Sequence, residues 1–245
     1  MSDRTPSVRF IILAVPRTGS NLLCTLLHSH PDILCHHELF NPRGIFYALD
    51  LRNTGYSIGG MSLDQRDVQS LEFLSRVWSA GEHHQAIGFK MTGRQHEVAF
   101  DSLLKDTSIR KIVLRRRDAL ATYVSRVIAE QCDVWEVYEG ENHTLPKKKV
   151  YVDPQQLLLA IETNNAHYTV IDQMLRHTRQ TALYVEYESL FERETHEKLN
   201  KFLDCQDIPL TAKSIRQNPE PIHELVENYE EVSQFLDTSN FYTTT

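Results

Sequence analysis

The chain has 245 residues, of which 24% are charged and 41% hydrophobic, and its formal net charge is −7. This length supports a full hydrophobic core, and the composition is typical of neither a disordered nor a membrane-embedded protein. The negative net charge argues against nucleic-acid binding, which needs a basic face. The apolar run Val8–Val15 is too short to span a bilayer and is predicted as the first strand.

Apolar runs alternate with helical patterns along the chain, which predicts an α/β protein with a central parallel sheet flanked by helices. Strands are predicted at Val8–Val15, Ala86–Met91, Ile109–Arg115 and Thr181–Glu186. Helices are predicted at Asp64–Trp78, with Val68, Leu71, Leu74 and Trp78 on one face, at Asp118–Gln131, and from Asp153, an N-cap followed by Pro154. Residues 1–245 are predicted to form one domain. A long polar loop at about 132–152 is predicted to be a lid or an acceptor-binding segment.

The most informative segment is Phe10–Asn21, in which an apolar strand enters a glycine-containing turn that opens directly into a helix. This is the build of a phosphate-binding loop, where backbone N–H groups at a helix N-terminus face an anion. The nucleoside-triphosphatase loop has Lys and then Ser or Thr after its second glycine. Here Gly19 is followed by Ser20 and Asn21, and the cation, Arg17, precedes the glycine. A loop that lacks this magnesium ligand suits transfer of a sulfuryl group.

A second segment, from Ile109 to Glu130, places three arginines at the end of a strand and a helix directly after them. Arg117 stands eight positions before Ser125, about two helical turns. A guanidinium and a hydroxyl at this spacing are suited to hold one phosphate between them.

Together the two motifs resemble those of the sulfotransferases that use 3′-phosphoadenosine 5′-phosphosulfate (PAPS). The resemblance implies a P-loop-like, three-layer fold. It assigns the 5′-phosphosulfate to the first loop and the 3′-phosphate to Arg117 and Ser125. The matching residues of the first motif are Arg17, Thr18, Gly19, Ser20 and Asn21.

The segment from His30 to Pro42 is similar to the glutamate-base branch of that family, which includes tyrosylprotein and bacterial trehalose and nodulation-factor sulfotransferases. The resemblance implies that Glu38 is the base, because an acceptor hydroxyl must lose its proton as it attacks sulfur. His36 and His37 are the alternatives, since another branch of the family uses a histidine.

Further resemblance extends over most of the chain. Lys90, at the end of a predicted strand, corresponds to a lysine that the family places near the sulfuryl group, although a structural ion pair is an equal interpretation. Gln217–Phe235 resembles the family's acidic C-terminal helix. The R-K-G-x-x-G segment of hormone-type enzymes is absent, and Lys213 or Arg216 is the candidate substitute.

These features predict a PAPS-dependent sulfotransferase that releases 3′-phosphoadenosine 5′-phosphate (PAP), needs no metal, and modifies a hydroxyl or amine of a carbohydrate or small molecule. The alternatives are a non-catalytic regulator that binds adenosine bisphosphate and a small-molecule kinase. Four cysteines without paired spacing favour reduced thiols and a cytoplasmic location. No nucleic-acid partner and no membrane span are expected, and a homodimer is left open.

Overall fold

The structure is a computed structural model, and it describes residues 7–81, 83–140 and 149–238. Its centre is a five-stranded sheet in the order β2-β3-β1-β4-β5, with every adjacent pair parallel. The strands are β1 (Val8–Ala14), β2 (Ile33–Cys35), β3 (Ala86–Thr92), β4 (Ile109–Arg115) and β5 (Ala182–Glu186). The predicted α/β class with a central parallel sheet is therefore confirmed.

Helices cover both faces of this sheet. They are α1 (Ser20–His28), α2 (Leu63–Val68), α3 (Ser70–Ser79), α4 (Glu97–Lys105), α5 (Ala119–Cys132), α6 (Pro154–His177), α7 (Arg193–Phe202), α8 (Ile222–Leu225) and α9 (Tyr229–Thr238). Strand β1 shows how the layers form, because its side chains alternate between two cores. Phe10 and Ile12 pack with α1 and α7, whereas Ile11 and Leu13 pack with α3, α4 and α6.

Parallel strands bring their carboxyl ends to one edge of the sheet, and the loops there carry the candidate site. Tyr168 of α6 ties two of these ends together beneath the loops. Its hydroxyl accepts a hydrogen bond from Val15 N at 3.2 Å and donates one to Leu114 O at 2.7 Å. The hydrogen bond from Val15 therefore holds the start of the loop after β1 in place.

The predicted helix Asp64–Trp78 is two helices in the structure, separated at Gln69, whose φ and ψ are −112° and 43°. The predicted face was wrong for Val68 and Leu71, which are exposed, whereas Leu74 is buried with Phe73 and Val77 and Trp78 packs partly buried against them. The break turns α3 relative to α2, so apolar residues on either side of it no longer share one stripe.

The predicted C-terminal helix, Gln217–Phe235, is also interrupted and appears as α8 and α9. Two prolines, Pro219 and Pro221, precede α8 and disfavour helical geometry in the residues before them. Between the two helices the Asn228 side chain bonds both backbone groups of Val152, at 3.0 and 2.9 Å. This contact with the distant Val152 was not visible in the local pattern.

The other predicted helices are confirmed, with Asp118 and Asp153 as N-caps whose carboxylates accept backbone N–H groups of α5 and α6. Sequence reasoning missed the three-residue strand β2 and the helices α4 and α7. Residues 141–148 of the predicted long loop lie outside the described residues. Among the described helices, none is long and apolar enough to cross a membrane.

Candidate active site

The carboxyl edge of the sheet opens into a cleft of about 1010 Å³. It is lined by the loop after β1, the loop after β2, the end of β3, the first turns of α5, and segments 133–137 and 214–218. Of the predicted site residues, Arg17, Gly19, Ser20, Asn21, Glu38, Lys90 and Ser125 line this cleft. Thr18 is buried behind it, with its hydroxyl on Val15 O at 2.8 Å.

The loop after β1 has the backbone of an anion-binding turn. Arg17 and Gly19 both have positive φ, 69° and 87°. Gly19 is the N-cap of α1 and supplies no side-chain cap, so the first N–H groups of the helix face the cleft without a side-chain acceptor from that position. A Cβ on Gly19 would lie 2.3 Å from Cδ2 of Tyr187, so this position has no room for any other residue.

Two cations lie beside this turn without a carboxylate partner among the described residues. Arg17 donates from Nε to Ser125 Oγ at 3.0 Å and also bonds Trp135 O and Gln217 Oε1. Arg116 donates to Arg17 O at 3.2 Å and stacks on Tyr187. Burial, and next the Arg116 charge, lower the pKa of Arg17 to about 10. The negative charge of a bound anion would offset both effects on the Arg17 pKa, so these residues fit a phosphate or sulfate group.

Lys90, at the end of β3, links this turn to Glu38 across the cleft. Its ammonium lies 3.0 Å from Glu38 Oε1 and 3.3 Å from Ser20 Oγ, and it also bonds Asn21 Oδ1. Lys90 is only 4% exposed, so the charge is held away from bulk water. Lys90 therefore forms an ion pair with Glu38 and also lines the cleft, so the two interpretations of this lysine do not exclude each other.

Glu38 accepts side-chain hydrogen bonds at both carboxylate oxygens. Thr92 donates to Oε1 at 2.9 Å, Gln95 donates to Oε2 at 2.7 Å, and Asn41 also donates to Oε2. Burial alone would raise the pKa of Glu38, but the Lys90 charge and the bonds from Asn41, Lys90 and Gln95 outweigh it. The pKa falls to about 2. Glu38 is therefore ionised throughout the physiological range.

The two rival bases have different surroundings. His36 is buried and packs against Tyr47 and Tyr56. Its Nδ1 accepts a hydrogen bond from the Ala48 backbone N–H at 3.2 Å. Burial, and then the charge of His28, lower the pKa of His36 to about 3. It does not line the cleft.

His37 does line the cleft, with Nδ1 3.2 Å from Asn21 Oδ1. Burial, followed by the Lys90 and Arg52 charges, lowers its pKa well below 6.5. Both rings are therefore neutral at physiological pH, and His37 also hydrogen-bonds the loop after β1 through Asn21.

Arg117 lies outside the lining of the cleft. Its side chain is 70% exposed, and Nε lies 3.0 Å from Glu186 Oε2 and 3.7 Å from Glu188 Oε2. The preceding Arg116 lines the cleft instead. Of the two substitutes foreseen for the missing C-terminal motif, Arg216 lines the cleft and Lys213 does not.

Sequence reasoning missed Arg116, Asn41, Thr92 and Gln95. Thr92 and Gln95 follow Lys90 at the carboxyl end of a predicted strand, which is a usable signal. Asn41 lies three residues after Glu38, but nothing in the sequence shows that its amide turns back onto that carboxylate. The described residues contain no group of three or more histidine, cysteine, aspartate and glutamate side chains placed to hold a metal ion.

The chain is similar to nodulation protein H of Rhizobium meliloti (strain 1021), with 24% identity over 241 residues that cover 93% of this chain and 90% of that protein. Nodulation protein H of Rhizobium tropici is 25% identical over 189 residues, covering 74% of this chain and 68% of that protein. The predicted resemblance to the nodulation-factor type is confirmed by these relatives. No family model matches the chain.

Two solved structures also align with most of the chain. A sulfotransferase from Alicyclobacillus acidocaldarius has a TM-score of 0.48 at 12% identity, with 94% of this chain and 93% of that chain covered. Mouse sulfotransferase SULT7A1 complexed with PAP has a TM-score of 0.44 at 12% identity, with 99% and 69% covered.

Proposed function

We propose that the chain is a sulfotransferase that moves a sulfuryl group from PAPS to a hydroxyl or amine of a carbohydrate or small molecule, with Glu38 as general base. The observation that carries the proposal is the position of Lys90. This one ammonium contacts the candidate base, Glu38, and the side chains of Ser20 and Asn21 in the anion-binding turn. A sulfuryl group held by that turn would lie close to the Lys90 ammonium and the Glu38 carboxylate.

The proposed step needs only groups that the cleft contains. The acceptor oxygen forms a bond to sulfur while the bond from sulfur to the bridging oxygen breaks, and the electron pair leaves with the 5′-phosphate of PAP. Glu38 takes the acceptor proton. Arg17, Lys90 and the N–H groups at the start of α1 stabilise the charge that develops on the sulfuryl and bridging oxygens.

We assign the 5′-phosphosulfate to Arg17, Thr18, Gly19, Ser20 and Asn21, with Arg116 beside them. The 3′-phosphate is assigned to Ser125 and Arg117, following the motif resemblance. Arg117 must then exchange Glu186 and Glu188 for the phosphate. Because ion pairs between exposed side chains are worth only about 0–1 kcal/mol, that exchange costs little.

Thermal unfolding tests the donor class. PAP without any divalent ion should raise the melting temperature by mass action. ATP with Mg²⁺ should stabilise the chain much less, because Ser20 and Asn21 follow Gly19 where a triphosphatase has its lysine and magnesium ligand. Stabilisation by ATP with Mg²⁺ and not by PAP would support the kinase instead.

Turnover separates the enzyme from a regulator that merely binds adenosine bisphosphate. Purified chain, PAPS labelled with ³⁵S and pools of carbohydrate and small-molecule acceptors should yield PAP and a labelled product. Glu38→Gln is the matched control, since it keeps the shape of the side chain and removes the base. Binding of PAP with no labelled product from any pool would favour the regulator.

A further inference from the structure

The side chain of Gln95 holds Glu38 from a loop that sequence reasoning did not connect with the site. Its Nε2 lies 2.7 Å from Glu38 Oε2, and its Oε1 accepts the Thr92 backbone N–H at 3.4 Å. The carboxamide is thus occupied at both ends, which turns its N–H group toward the carboxylate.

The backbone around Gln95 is fixed on both sides. Gly93, at φ 68°, donates its N–H to Ala14 O at 2.9 Å and so anchors the loop on the end of β1. His96 caps α4, because its Nδ1 accepts a hydrogen bond from the Ala99 backbone N–H at 3.2 Å. Its Nε2 lies 3.1 Å from Asp67 O. Gln95 therefore approaches Glu38 from a rigid support.

Gln95 differs from the other three donors to this carboxylate. Lys90 and Thr92 belong to the buried strand β3, and Asn41 belongs to the loop of Glu38 itself. Gln95 comes from a separate loop and is partly exposed in the cleft. Its loss should therefore disturb the carboxylate far more than the stability of the fold.

We propose that Gln95 is a positioning residue for the transfer reaction, which orients the Glu38 carboxylate toward the acceptor and limits how readily it takes a proton. This inference rests on the proposed function, in which Glu38 is the base. Lys90 and Thr92 fill the acceptor positions of Oε1, and Asn41 and Gln95 fill those of Oε2, so an incoming hydroxyl takes the place of one donor. The Gln95 amide on Oε2 holds the plane of the carboxylate during that exchange. The same bond favours the charged form of Glu38.

Other titratable or charged groups lie near the Glu38 carboxylate or in the same cleft. Lys90 of β3 contacts the carboxylate directly, and His37 precedes it in the chain. Arg43 of the same loop and Glu136, in the segment after α5, lie in the same cleft. A test must therefore change Gln95 alone and leave these four side chains in place.

The test compares Gln95→Met, which keeps length and removes the donor, with Arg94→Met. Arg94 lies on the same loop but pairs with Asp101 and does not line the cleft. In the full chain labelled with ¹³C at glutamate carboxyls, the signal lost in Glu38→Gln identifies Glu38. Its titration midpoint should rise by about one to two pH units in Gln95→Met, the equivalent of one hydrogen bond to a charged group. It should not move in Arg94→Met.

The kinetics should follow the titration. The acid limb of the pH profile of kcat/KM should shift upward in Gln95→Met, with kcat lowered about tenfold and the Kd for PAP unchanged. An unmoved Glu38 midpoint in folded Gln95→Met, with PAP binding intact, overturns the positioning role and leaves sulfuryl transfer standing. If the Glu38 midpoint shifts in Gln95→Met but the wild-type chain neither binds PAP nor transfers a sulfuryl group, the proposed function is overturned. The positioning role of Gln95 in that reaction is then overturned too.

Discussion

At the scale of single residues, Glu38 combines two demands that oppose each other. Four donors orient its carboxylate, but they also lower its pKa to about 2, and a carboxylate so well stabilised is a weak base. Lys90 contributes the largest lowering effect and also contacts the anion-binding turn. When an anion occupies that turn, its negative charge competes for Lys90 and should strengthen Glu38 as a base.

Glu38→Gln should reduce turnover by about 10²–10⁴, the usual contribution of a general base. The amide keeps the size of the side chain, so the Kd for PAP should change little. Steady-state kinetics and calorimetry measure the two effects separately. His37→Asn is the comparison variant, since His37 also lines the cleft, and it should cost much less turnover because the motif resemblance assigns the base to Glu38. A nearly inactive His37→Asn beside a nearly normal Glu38→Gln would make the histidine the base.

Arg116 and Arg117, adjacent in the chain, should differ in which nucleotide they bind. Arg117→Ala and Ser125→Ala should weaken PAP binding more than binding of adenosine 5′-phosphosulfate, which lacks the 3′-phosphate. The expected loss is about 1.5–3 kcal/mol for the charged contact and less for the hydroxyl. Arg116→Ala should weaken both nucleotides alike, because Arg116 lies beside Arg17. If Arg116→Ala is selective for PAP and Arg117→Ala has no effect, the 3′-phosphate belongs to Arg116.

At the scale of elements, the site depends on how loops are held by neighbouring secondary structure. Arg66 of α2 is 1% exposed and donates from one nitrogen to Leu39 O, Asn41 O and Gly44 O at 2.8, 2.9 and 3.2 Å. These hydrogen bonds hold the loop that carries Asn41 against α2. Sequence reasoning predicted the helix there but not this role, because a buried arginine in a helix has no local signature.

Gly19→Ala should destabilise the fold and remove PAP binding, because the new Cβ would meet the Tyr187 ring at 2.3 Å. Gly140→Ala is the matched control, since both glycines have φ of 87° but no atom of the described residues lies within 4 Å of a Cβ at Gly140. The control should lose only the cost of left-handed backbone, about 1–2 kcal/mol. Urea unfolding and PAP titration of both variants measure the difference. Equal losses in the two would show that the Tyr187 contact is unimportant.

At the scale of the whole molecule, buried histidines make stability depend on pH. The pKa of His36 is about 3 in the fold, mainly through burial and then through the His28 charge, against 6.5 for an unperturbed histidine. The unfolded chain therefore binds a proton here below about pH 6.5, while the folded chain does not until near pH 3. The contribution of His36 is complete above pH 6.5 and is lost as the pH falls through that window.

His36→Asn should reduce this loss, because asparagine can still accept the Ala48 N–H but does not titrate. Between pH 7.5 and 4.5 the wild-type chain should lose about 2–3 kcal/mol more unfolding free energy than the variant. Urea unfolding at several pH values measures both slopes. His223→Asn, which removes a histidine whose side chain is 60% exposed, is the comparison variant. Parallel slopes for wild type and His36→Asn would contradict the burial effect.

The sequence by itself determined the elements whose signals are local. The strand at Ile109–Arg115, the caps Asp118 and Asp153 and the stripe of apolar residues along α6 all follow from short-range patterns, and so does the glycine turn after β1. The candidate site residues Arg17, Glu38, Lys90 and Ser125 also came from local motifs that resemble those of known sulfotransferases.

Only the tertiary structure decided which side chains meet. It brought Gln95 and Thr92 onto Glu38, Gln217 onto Arg17 and Asn228 onto Val152, pairs that are 54 or more positions apart in the chain. It also divided the helices at Gln69 and Asn228 and turned Arg117 toward Glu186 and Glu188. The physical reason is the same in each case. These outcomes depend on hydrogen bonds and burial between distant segments, whereas a sequence pattern reports only the preferences of residues within a few turns of each other.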